Sequence, residues 1–367
     1  MPSLFDPIDL GAIRAPNRII MAPLTRGRAN GDGVPQPVMI DYYRQRASAG
    51  LIISEATGIS RIGLGWVDAP GIWSTAQVEA WKPVTDAVHH DCGRIILQLW
   101  HMGRIVHPDF FGGGQPVSSS DRRAPGGIRT PLSEGKRIDY VDPRPLTLDE
   151  IKATVSDYAT AARNAMAAGF DGVQVHGANG YLVDQFLRDN TNFRTDAYGG
   201  SIENRIRFAT EVVDAVIAEV GAARTSIRLS PNGDSQGCDD SNPIPLFTAA
   251  TRMLEARKIG FLELREPRAN GTFGSTDVPP VSPDIRKVFT GPLILNSDYT
   301  RNDALAAVAD GRADAVSFGR PFISNPDLVE RLTADLPLAE GNVRTWYSTG
   351  PEGYSDYPRA DAPLTHA

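Results

Sequence analysis

Val173-Gln-Val-His-Gly-Ala-Asn-Gly-Tyr-Leu-Val-Asp-Gln-Phe186 begins as a strand and ends as a helix. Val173 and Val175 are β-branched residues in a short apolar run, which favours a buried strand. Gly177 and Gly180 supply turn chemistry, and the stretch from Leu182 to Phe186 resumes at helical spacing. One β-to-α unit is therefore legible, and the fold depends on how often it recurs. Short apolar runs appear at 18–23, 51–54, 95–100, 172–175, 226–229, 261–264, 293–295 and 315–318. Helical patterns lie between and after them, at 38–48, 76–90, 149–168, 201–220, 245–257, 282–288, 302–309 and 327–334. Strict alternation predicts parallel strands joined by crossover helices. Eight units allow closure into a (β/α)₈ TIM barrel, usually about 250 residues long. A doubly wound open sheet is the competing architecture, but no G-x-G-x-x-G fingerprint follows the first run.

The 367 residues exceed a bare barrel. The surplus falls in an N-terminal cap segment at 4–17, an insertion after strand three at 103–146, and a tail at 341–367. The insertion is rich in glycine, serine and proline, with room for a short β-hairpin; loops of that length are usually functional. Trp346, Tyr347, Tyr354 and Tyr357 favour a tail that docks. The net charge of −7, with no basic cluster, argues against nucleic acid as a partner. No run approaches the roughly 20 apolar residues of a membrane span. The first residues lack a charged n-region and an apolar h-region, so a cytoplasmic location is expected. Cys92 and Cys238 lie far apart without C-x-x-C spacing; they read as bystanders, with a disulfide between them left open.

Barrel enzymes place their chemistry at the C-terminal ends of the strands. Here those ends present Thr25, Gln98, His101, His176, Arg228, Arg265-Glu-Pro267, Asn296-Ser-Asp298 and Gly319-Arg320. The pair at strands seven and eight suits a phosphate, because loops and a short helix there offer backbone N–H groups and Arg320 adds a bidentate donor. Arg228 needs an acceptor, and no carboxylate stands beside it in sequence; an electron-rich heterocycle with carbonyls would serve. His101 and His176 lack a third ligand at metal-binding spacing, so no metal site is expected. No G-x-S-x-G elbow and no strand-end lysine for a Schiff base is present, which disfavours hydrolase and aldolase chemistry. Tyr181 alone would be a helix-start aromatic packed on the rim. Beside His176 and Asn179 it points to catalysis. His101 is expected to be a structural hydrogen bonder, and Ser201 an N-cap.

Five motifs carry a family resemblance: Met21-Ala-Pro-Leu-Thr-Arg26, Gln98-Leu-Trp-His-Met-Gly-Arg104, His176-Gly-Ala-Asn-Gly-Tyr-Leu182, Tyr198-Gly-Gly-Ser-Ile-Glu-Asn-Arg205 and Phe318-Gly-Arg-Pro321. In this order they resemble the old yellow enzymes, FMN-containing ene-reductases on a (β/α)₈ barrel. Arg228-Leu-Ser-Pro-Asn-Gly233, Gly271-Thr-Phe-Gly274 and Leu295-Asn-Ser-Asp-Tyr-Thr300 bring the chain closest to the bacterial cyclohexenone reductases. The larger iron–sulfur dienoyl reductases fit less well, since their cysteine cluster is missing.

The resemblance implies bound FMN, with NADH or NADPH as reductant, and a monomer or homodimer. Pro23, Leu24 and Thr25 would line the flavin, Ala56 and Gln98 would contact its pyrimidine end, and Arg228 would stabilise negative charge there. Ser297, Asp298, Gly319 and Arg320 would hold the phosphate. Many members have glycine where Ser297 stands, so its backbone N–H is the expected contact. His176 and Asn179 would border the flavin and hydrogen-bond the substrate oxygen, and Tyr181 would donate the proton. Trp66, Trp100, Phe273 and Tyr347 would form the pocket wall. The chemistry is consistent on its own terms. Hydride addition to an activated alkene builds negative charge on the carbonyl oxygen, where preorganised donors help most, and the α-carbon then needs a proton.

Overall fold

A computed structural model describes residues 1–272 and 274–360. Phe273, expected in the pocket wall, and the end of the tail at 361–367 lie outside the described residues. Eight parallel strands close into a barrel: β1 (Ile19–Met21), β2 (Leu51–Gly58), β3 (Ile95–Trp100), β4 (Val173–Gly177), β5 (Thr225–Leu229), β6 (Phe261–Arg265), β7 (Leu293–Asn296) and β8 (Ala315–Phe318). They pair in sequence order, and β8 returns to β1. The crossover helices are α1 (Val38–Arg44), α2 (Thr75–His90), α3 (Leu148–Ala167), α4 (Arg207–Val220), α5 (Pro243–Arg257), α6 (Ser282–Arg286), α7 (Arg301–Ala309) and α8 (Leu328–Ala334). The (β/α)₈ expectation is met.

Local chemistry sets the boundaries. Ser74 with Gln77, Thr147 with Glu150 and Thr300 with Asp303 form capping boxes at the starts of α2, α3 and α7. The helix expected over 201–220 is two pieces, Ile202–Arg205 and α4, joined at Ile206. The break is shallow, because Ile206 N–H still donates to Ile202 O at 3.0 Å. Ser201 caps the first piece, accepting from Asn204 N as expected. Strand β2 runs four residues beyond the apolar run that signals it. Its second half carries Glu55 and Thr57, which are buried despite their polarity. A register shift between Ile53 and Ala56 accompanies the change.

The N-terminal segment folds as an antiparallel hairpin, Ile8–Leu10 with Ile13–Ala15. Its Ile8, Leu10, Ile13 and Ala15 pack against Ile20, Leu51, Ile53, Ile96, Phe261, Ile294 and Ala315 from inside the strands. The hairpin thus plugs the barrel at its N-terminal end and leaves the other end for chemistry. In the insertion, Gly127–Ile128 pairs antiparallel with Ile138–Asp139, the expected short hairpin. Val117–Ser118 also runs beside Arg144–Pro145. Ser118 and Ser119 donate to Gln185 Oε1 and O, both at 2.8 Å, which ties the insertion to the helix Leu182–Leu187. Cys92 and Cys238 are both free thiols.

Candidate active site

At the C-terminal end of the barrel lies a cavity of about 800 Å³, within the size range of small-molecule sites. Pro23, Leu24, Thr25, Ala56, Gln98, His176, Asn179, Arg228, Ser297, Asp298, Gly319 and Arg320 all line it, as do Tyr181, Trp66, Trp100 and Tyr347. Every sequence-predicted site residue within the described part of the chain is therefore gathered around one space. His101 is not part of the lining; its Nδ1 accepts from Gly103 N at 3.1 Å, the structural role expected of it.

His176 lies in β4, one residue further along the strand than the apolar run extends. Ala178 N–H donates to its Nδ1 at 3.3 Å, so Nε2 is left to carry the ring proton. Burial, joined by the charges of Arg228 and Arg265, holds its pKa well below that of an ordinary histidine. The ring is neutral and offers one N–H donor. The chain then turns through Asn179, at φ 60°, and Gly180, at φ 77°. Asparagine is among the few residues with a side chain that tolerate this left-handed region. Asn179 N donates to Ser230 Oγ at 2.8 Å and Gly180 N to Asp184 Oδ2 at 2.9 Å. Asp184 is in turn paired with Arg188 at 2.8 Å, and both side chains are fully buried. This locked turn is what aims Asn179, whose Oδ1 is buried without a hydrogen-bond partner.

Tyr181 packs edge-on to Trp100 and to His176, with ring centroids 5.0 and 4.9 Å apart. Burial raises its phenol above the usual tyrosine range, while a hydrogen bond with Gln236 acts in the opposite direction. The hydroxyl therefore keeps its proton at neutral pH. Trp66 and Tyr347 meet at 5.4 Å across the mouth, and the insertion's Phe110 and Tyr140 back Trp100 from outside.

At the other end, Arg320 Nη2 lies 3.0 Å from Asp298 Oδ1, and Thr272 N donates to Asp298 Oδ2 at 2.9 Å. The Asp298 carboxylate is thus an acceptor already engaged by Thr272 and Arg320, and its charge does not favour a phosphate. Of the loop's groups, backbone N–H, that of Asp298 included, and Arg320 suit an anion. Ser297 sits at φ 123°, a region that favours glycine. That backbone explains why glycine is acceptable at this position.

Arg228 has a partner that its sequence neighbours do not show. Its carboxylate exists, but on the neighbouring strand: Arg228 pairs in register with Glu263 of β6, and Nε stands 3.6 Å from Glu263 Oε2. Its Nη2 donates to Asn296 Oδ1 at 2.6 Å. Sequence reasoning placed Arg265 and Asn296 at strand ends without giving either a role, and missed Gln236 as a lining residue. Burial, and then the charge of Arg228, lower the Arg265 guanidinium to about 10. The strand end was a sufficient signal for Arg265 and Asn296. Gln236 sits in a loop whose sequence has no such signal.

Comparison with known proteins agrees with this geometry. The model of the NADH:flavin oxidoreductase / NADH oxidase family matches residues 3–339. 12-Oxophytodienoate reductase 1 of Oryza sativa subsp. japonica is 46% identical over 360 residues, spanning 97% of this chain and 92% of that protein. An old yellow enzyme homologue from Zymomonas mobilis has 57% identity and a TM-score of 0.95, over 97% of this chain and 99% of that one. Morphinone reductase in complex with tetrahydroNAD has 44% identity and a TM-score of 0.93, with both chains fully covered. The residues present fit an FMN. Arg228 Nε is a buried donor with no hydrogen-bond partner, Arg320 offers a guanidinium at the far end, and a Cβ at Gly319 would already meet Leu24 at 3.4 Å.

Proposed function

The chain belongs to the NADH:flavin oxidoreductase / NADH oxidase family, and from that premise we propose that it reduces the activated C=C bond of α,β-unsaturated carbonyl compounds. It is an FMN-dependent oxidoreductase of the old yellow enzyme family. Cyclic enones such as cyclohexenone are the substrate class we favour, with enals, nitroalkenes and nitrate esters as further candidates and NADH or NADPH as reductant. The observation that carries this reading is the grouping of a neutral His176, Asn179 and Tyr181 on one short turn facing the cavity.

FMN, held by the residues named next, would supply the hydride chemistry for the β-carbon. The protein's own residues do the rest. Arg228, Gln98, Ala56 and Thr25 would hold the isoalloxazine, with Pro23 and Leu24 along it, and Ser297, Asp298, Gly319 and Arg320 would hold the phosphate through N–H donors. His176 Nε2–H and the Asn179 amide would donate to the substrate carbonyl oxygen, where negative charge grows as the β-carbon is attacked. Tyr181 would give its hydroxyl proton to the α-carbon, completing addition of H⁻ and H⁺ across the double bond. Trp66, Trp100 and Tyr347 would shape the substrate pocket and limit water.

The test is a purified preparation that is yellow, bleaches with NADH or NADPH under nitrogen, and regains its absorbance on adding cyclohexenone. A protein that binds no FMN on reconstitution, or a reduced flavin that enones leave bleached, refutes the reading.

A further inference from the structure

Glu263 is fully buried, and its partners show where it points. It lies on β6, which pairs with β5 and β7. Gln174 Nε2 of β4 donates to its Oε2 at 2.9 Å, and Ser317 Oγ of β8 donates to its Oε1 at 2.6 Å. Strands β4 and β8 are each two removed from β6, so these bonds can be made only through the barrel interior. Gln98 Nε2 extends the chain, donating to Gln174 Oε1 at 2.7 Å. A polar belt thus crosses the barrel axis above the apolar plug, and one carboxylate is at its centre.

The donors from Gln174 and Ser317 are neutral, so they satisfy the carboxylate without cancelling its charge. Arg228 stands within ion-pair distance of it, at 3.6 Å. That separation is beyond hydrogen-bond range, so the interaction is charge against charge. Folding alone gives little reason for such a pair, because buried ion pairs are often replaced by apolar residues at no loss of stability. Arg228 and Arg265 both line the cavity, and Glu263 is the buried countercharge behind the first of them.

We propose that Glu263 is a positioning residue for the flavin chemistry, the countercharge that orients Arg228 and lowers the positive field it presents to the pyrimidine end of FMN. The inference rests on the reading that Arg228 faces that end. Negative charge gathers there when the flavin is reduced, so a weaker positive field lowers the reduction potential and makes the reduced flavin a stronger hydride donor.

The measurement is the two-electron midpoint potential of the holoenzyme against a reference dye. Glu263→Gln should raise it, with about a tenfold gain in the ratio of reduced to oxidised flavin at fixed potential, roughly 30 mV. Ser317→Ala removes a hydrogen bond that spreads the carboxylate's charge and should move the potential the opposite way. An unchanged or lowered potential in Glu263→Gln overturns the proposal. If that variant does not fold as a flavoprotein, Ser317→Ala decides alone: a lowered potential supports the proposal, and an unchanged or raised one overturns it. Arg228→Met separates the two layers of the argument. A potential insensitive to that change unseats the placement of Arg228, whereas one that falls while Glu263→Gln leaves it unmoved unseats Glu263 alone.

Discussion

Two backbone N–H groups prepare the substrate end of the cavity. Ala178 N–H fixes the tautomer of His176 by donating to Nδ1, and Gly180 N–H anchors the turn on Asp184. Beyond them the Tyr181 phenol is held protonated by burial. Tyr181→Phe keeps the ring and its edge contacts with Trp100 and His176 but removes the proton. It should slow enone reduction by roughly 10²- to 10⁴-fold and leave flavin reduction by nicotinamide nearly unchanged, as stopped-flow resolution of the two half-reactions will show. Equal losses in both would remove Tyr181 from the proton-donor role. At this scale the sequence is highly legible where polar side chains interrupt a turn that glycines alone could make, as at His176 and Asn179. It is illegible where a partner comes from another strand. Nothing near Arg228 in sequence announces Glu263, because their contact is created by the register of β5 against β6.

Among the elements, the C-terminal tail is held by arginines from the start of the chain. Arg26 Nη2 donates to Gly353 O at 2.7 Å, and Arg28 donates to Trp346 O and Thr345 O, both at 2.8 Å. Tyr354 is fully buried and stacks on Tyr42 with centroids 4.0 Å apart. The aromatic content of the tail favoured docking, while the clamp itself joins residues 320 positions apart in the chain. Tyr347, a cavity-lining residue, sits between these anchor points. Tyr354→Ala should cost about 3–5 kcal/mol of stability, as for other large aromatic truncations in a core, measured by denaturant unfolding. The same variant should be cleaved in the tail by low protease concentrations that spare the wild type. A tail that stays protected would show that the arginine contacts suffice without the stack. The insertion behaves alike: composition predicted a long loop, but only packing makes it the backing of Trp100, which lines the site.

For the molecule as a whole, pH acts through buried groups. Glu55 lies on β2 and accepts from Tyr43 Oη at 3.2 Å and Arg26 N at 3.2 Å. Burial outweighs these bonds and the charge of Arg26 and raises its pKa from 4.5 to about 7. A carboxyl raised on folding binds its proton more tightly in the native state, so stability falls as pH rises from the unfolded value to the folded one. Between pH 5 and 7 the gain of Glu55→Gln over wild type should therefore grow by about 2 kcal/mol, read by urea unfolding of the holoenzymes at both pH values. A gain that does not change with pH would mean that the carboxyl does not titrate in this window. His101, lowered by burial to about 4, and His176 work the other way, withdrawing stability as pH falls from 6.5. None of these titrations is visible in the linear chain, since each is caused by burial. The sequence by itself determined the alternation of strand and helix, the count of eight, and the family motifs at the strand ends, because periodicity and turn chemistry are local properties of the chain. The tertiary structure alone decided the hairpin plug, the tail clamp, the belt around Glu263 and the protonation states in the site. These depend on strand register and on exclusion from water, and both exist only once the barrel has closed.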